Sequence, residues 1–148
     1  MWFGPEFIGQ EVTFSKPNPS TWVLKEQISE HADSYNQEDC EELDLIPEAR
    51  AVFTCSRRDG EGPEEAIIKI LMQIPWEGTE GKSAKKRAAQ AGSSESLEFE
   101  AGALDILTDA NSSSTPIILA AKEAKQTKNM WVPGGVSWFH SYDQAARR

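Results

Sequence analysis

Ala66-Ile67-Ile68-Lys69-Ile70, continued by Leu71-Met72, is an apolar run interrupted by one lysine. β-branched isoleucines favour a pleated, half-buried surface, so the run reads as a strand. An ammonium left unpaired in such surroundings is costly. Lys69 therefore either carries its charge to the surface along its stem or meets a carboxylate. The strand stops at Pro75. Ala49-Arg50-Ala51-Val52-Phe53-Thr54-Cys55 before it is a second strand, and the polar turn from Arg57 to Pro63 joins the two as an antiparallel hairpin.

A carboxylate to match the lysine lies further along. Between Glu95 and Thr108, Leu97, Ala101, Leu104 and Leu107 recur at helical spacing and form one stripe. At about 100° per residue Glu100 falls on that stripe, while Glu98 points the opposite way. Taken from the residues alone, Lys69 and Glu100 make a structural ion pair between strand and helix.

The remaining segments organise around these two elements. Residues 1–20 are an N-terminal extension rich in Pro and Gly, with a short strand around Glu11–Phe14. Thr21-Trp22-Val23-Leu24 with Gln27-Ile28 reads as a strand. Nine acidic residues and no Lys or Arg fall between Glu26 and Glu48, so 29–48 is expected to be a solvated acidic loop; the sharper alternative is a dock for a basic partner. Residues 77–94 form a polar, basic insertion with a short exposed helix over Ser83–Ala91. Ile117-Ile118-Leu119-Ala120 is a strand, followed by a polar turn through Lys122–Lys128. Val136-Ser137-Trp138-Phe139 is the last strand, and 140–148 is expected to be an unstructured tail.

Composition narrows the function classes. A chain of 148 residues is about one domain. A net charge of -9 argues against nucleic acid and anionic membrane surfaces as partners. No apolar run is long enough to span a bilayer, and the start lacks the basic and apolar regions of a signal peptide, so an intracellular place, cytoplasmic or nuclear, is expected. Cys40 and Cys55 make neither a disulfide framework nor a metal-binding pair. His31 and His140 lack suitably spaced ligands for a metal or catalytic site. Gly81-Lys82-Ser83 is half of a phosphate-binding loop, but the full motif needs glycine where Trp76 stands. The five tryptophans read as packing residues.

The order strand, hairpin with a lysine strand, helix with an inward glutamate, and two further strands resembles the small lobe of protein-kinase-like domains. Ala66-Ile67-Ile68-Lys69-Ile70 looks like the Val-Ala-Ile-Lys element of that family. Phe99-Glu100-Ala101-Gly102-Ala103-Leu104-Asp105-Ile106-Leu107-Thr108 looks like the αC helix of kinase-like proteins of filamentous fungi. Ser112 to Ala120 and Met130 to Gly135 look like that family's fourth strand and its lead into the fifth. The resemblance covers roughly residues 20 to 139. It implies an α+β fold: about five strands, mainly antiparallel, with one principal αC-like helix. It also implies that Lys69 holds the α- and β-phosphates of ATP, with Glu100 orienting it.

Two departures shape the functional expectation. The connection between the first two strands of the lobe holds no glycine, and Gly60-Glu61-Gly62 sits in the wrong turn. No His-Arg-Asp catalytic loop and no Asp-Phe-Gly metal site occur in the sequence. The expectation is a truncated kinase-like protein, catalytically inactive alone, with at most weak ATP contact through Lys69 and no metal site. Two alternatives stand beside it: a non-enzymatic interaction module that binds a protein partner or self-associates through an exposed apolar lobe face, and a fragment of a complete ATP-dependent phosphotransferase.

Overall fold

The computed structural model describes residues 1–15, 19–91 and 118–143. Among these residues there are six strands: Glu11–Phe14 (β1), Ser20–Asp33 (β2), Glu48–Gly60 (β3), Glu65–Gln73 (β4), Ile118–Lys125 (β5) and Val136–Asp143 (β6). They form one sheet in the order β1-β2-β3-β4-β6-β5, antiparallel at every pairing. Two short helices, Gln37–Leu43 (α1) and Ala84–Ala88 (α2), sit in the connections, which makes the described fold α+β. The helix expected over 95–108, with Glu100, lies outside the described residues.

The sheet curls until β1 and β5 approach each other, so it is nearly a barrel. β2 supplies much of the curl. Its register against β3 shifts at Thr21/Trp22, Leu24/Glu26 and Gln27/Ser29, and each such irregularity bends the strand and tightens its twist. The inner face holds the core, with Phe14, Trp22, Leu24, Phe53, Ile68, Ile70 and Met72 all buried. The N-terminal residues close over part of this face. Glu30 on β2 accepts the backbone N–H groups of Trp2 and Phe3 at 2.9 and 3.0 Å, and the Phe3 ring lies 6.1 Å from that of Phe53.

Three sequence expectations need correction. The sheet has six strands, not about five, because the short Val12/Phe14 alternation inside the supposed extension pairs with β2. The acidic stretch is less open than composition implies. β2 runs to Asp33 by pairing its polar residues with Glu48–Val52, and α1 is built in the middle, with the Asn36 side chain accepting the Asp39 N–H at 2.8 Å as an N-cap. The last strand continues past Phe139 to Asp143, with His140, Ser141 and Tyr142 buried within it. Those residues read as a tail because their buried groups are polar. The hairpin of β3 and β4 stands where the sequence puts it, and the helix expected over Ser83–Ala91 forms over the shorter span Ala84–Ala88, with Ser83 as its cap.

Candidate functional site

β4 lies inside the sheet, and its side chains alternate between two different surroundings. Ala66, Ile68, Ile70 and Met72 point into the curled interior, and Ile67, Lys69 and Leu71 face outward. Ile67 and Leu71 are nonetheless buried, so the outer face at β4 opens only around Lys69. Lys69 is half-buried, across from Val52 on β3 and His140 on β6. It lines a shallow groove of about 400 Å³ with His31, Asp33 and Arg50. Within that groove Arg50 Nη2 donates to Asp33 Oδ2 at 2.7 Å, which holds the guanidinium and the carboxylate to each other. The groove thus gathers Lys69, His31 and an ion-paired Arg50. Glu100, the expected partner, is outside the described residues.

His140, next to Lys69 across the ladder, is buried, with its Nδ1 3.4 Å from the Tyr142 hydroxyl. His31 is exposed on β2. Among the described residues no three His, Cys, Asp or Glu side chains are placed to hold a metal ion together. The half phosphate-loop Gly81-Lys82-Ser83 leads into a helix of only five residues, and the Ser83 hydroxyl is used as its cap, accepting the Lys86 N–H. Burial pushes the Cys55 thiol up to about 12, and burial with the charges of Asp39 and Glu41 also raises Cys40, so neither is poised as a nucleophile. Among the described residues the exposed large apolar side chains are Met1, Ile8, Ile28 and Leu43, which sit on separate segments.

The inner face carries a second site that the sequence gives no hint of. At the mouth of the curl lies a cavity of about 640 Å³, floored by Leu24, Ile70, Met72 and Phe139. Trp2 and Trp131 stand at its rim with their rings edge-to-face at 4.8 Å, and the Trp131 indole donates to the Trp2 carbonyl at 2.9 Å. The loop bearing Trp131 is fixed from both sides. Arg87 Nη1 on α2 donates to the carbonyls of Met130 and Trp131 at 3.0 and 2.8 Å. From the interior the buried Gln126 amide donates to Gln73 O and accepts the Val132 N–H. Gly135 is required there, because a Cβ would run into the Val132 carbonyl and the Gln73 amide.

Ser137 lines this cavity from the inner face of β6. Its hydroxyl is fully buried and has no hydrogen-bond partner among the described residues. Leaving such a group unmatched costs about 1–3 kcal/mol, so it is a feature to be explained. Serine after valine in a strand looks ordinary, and the other lining residues come from segments far apart in the chain, so no spacing rule could have found the cavity.

No family model, no curated protein and no solved structure matches the chain.

Proposed function

We propose that this chain is a non-catalytic binding domain with the plan of a kinase small lobe, whose outer-face groove takes the phosphates of ATP weakly at Lys69. The observation that carries the reading is the position of Lys69: half-buried, on an inner strand of the sheet, where the outer face opens, beside His31 and Arg50. The chain order supports it as well, since the lysine strand completes a hairpin with β3 and two antiparallel strands follow the segment that carries Glu100. In this reading Glu100 orients the lysine. The comparisons lend it no support, and it rests on the residues. The absence of glycines between β2 and β3 and of metal-holding catalytic motifs in the sequence keeps the contact weak and the chemistry idle.

Titration of the purified chain with ATP, followed by calorimetry, tests this. Binding in roughly the high-micromolar to millimolar range is expected, weakened about tenfold or more by Lys69→Ala, with no phosphate release. Equal binding by the folded variant would remove the groove from consideration. Turnover of ATP abolished by Lys69→Ala would show a catalyst instead.

A further inference from the structure

The cavity on the inner face has no part in the Lys69 reading, because Lys69 points away from it. Its volume is in the range that holds drug-sized ligands, and its floor is apolar. Its mouth is braced from within the chain: the Trp2–Trp131 contact and the Arg87 clamp hold the rim in place. Rim charges are of both signs, Glu6 and Glu80 with Lys125, and Arg87 is already engaged with backbone carbonyls, so the rim does not select for a net charge. Within the apolar lining one polar group, the Ser137 hydroxyl, is fully buried and unmatched among the described residues. An apolar wall with one buried polar anchor defines a ligand of the same pattern.

We propose that this cavity binds a small, uncharged, largely apolar molecule whose single hydroxyl or carbonyl reaches Ser137. The Ser137 hydroxyl turns about χ1 from its covered position to donate to or accept from that group, the floor residues cover the apolar body, and the tryptophan pair stands over it.

The test titrates the neutral dye N-phenyl-1-naphthylamine into the full chain and displaces it with naphthalene or 2-naphthol. One saturable site is expected, with 2-naphthol displacing the dye about tenfold more effectively than naphthalene, the difference one matched hydrogen bond makes. Ser137→Ala should erase that preference and leave naphthalene unaffected. Ala124→Trp, which fills the cavity from β5, should abolish dye binding with a cooperative thermal melt retained. Should that variant not fold, Ala124→Leu takes its place and should weaken the dye about fivefold. Dye uptake that does not saturate, dye binding untouched by the folded Ala124 variant, or a 2-naphthol preference that survives Ser137→Ala would each overturn the proposal.

Discussion

The two faces of β4 differ in what they demand of a side chain. Inward, Ile68, Ile70 and Met72 complete a core and then floor a cavity; outward, Ile67 and Leu71 are equally buried, and only Lys69 between them reaches an opening. A strand covered on both sides reads as a continuous apolar run, with no alternation to show which side is which. The lysine is the one residue in that run that reveals a difference, and it marks the weaker side. The larger site is on the side that looks uniform. A charge in an apolar strand draws attention to the place where the packing ends, whereas a cavity made of ordinary core residues draws none.

The widest separation between the faces should show in stability. Ile70→Ala is expected to cost about 2–5 kcal/mol in urea unfolding, through lost burial and an enlarged cavity. Lys69→Ala should cost about 1 kcal/mol or less. Comparable losses would mean that the outer face is as closed as the inner one, and the contrast would fail.

A pH experiment sharpens the account of the interior. Cys55 is on the inner face of β3, and burial pushes its thiol from 9.0 up to about 12. Below pH 9.0 the thiol is protonated whether the chain is folded or not, and its contribution to stability is intact. Between 9.0 and about 12 only the unfolded chain ionises, so stability falls as pH rises, by up to about 4 kcal/mol. Denaturation at about pH 8 and about pH 10.5 should show this decline in the wild type and a smaller one in Cys55→Ser. Equal declines would mean that the thiol meets water.

The closure of the inner face by the N-terminus is tested by Glu30→Ala. Losing the acceptor for the Trp2 and Phe3 amides should cost about 1–3 kcal/mol and raise amide exchange at those residues first. Unchanged exchange there would show that ring packing alone seats the segment.

The smallest effect belongs to Lys122, at the seam where β1 nears β5. Its ammonium lies 5.1 Å from the Phe139 ring centre and 5.8 Å from that of Phe14, and burial lowers its pKa from 10.5. Between the lowered value and 10.5 the unfolded chain binds more protons, so this group adds stability as pH rises, opposite in sign to Cys55. Lys122→Met should remove that rising component in the same denaturation series, and a variant curve parallel to the wild type would refute it.

The sequence is most legible where one signal suffices. Isoleucines around Lys69 define β4, a polar turn defines its hairpin, and the short exposed helix expected from Ser83 onward appears as α2. It is least legible where burial involves polar groups. Glu30 in an acidic stretch reads as solvent-facing, yet it seats the N-terminus; His140 and Ser141 read as tail, yet they are buried in β6. Of the expected Lys69–Glu100 pair, the lysine stands at a groove and the glutamate lies outside the described residues. The cavity is invisible at this level, because Trp2, Leu24, Met72, Trp131 and Ser137 converge only when the sheet has curled.

The Trp131-to-Trp2 hydrogen bond joins residues 129 positions apart. Closing a loop of that length is entropically costly, so the bond relies on the sheet between the two residues to bring them together. The same bond ties the Glu30 contacts of Trp2 and Phe3 to the loop of Trp131, so a change that frees one is expected to loosen the other.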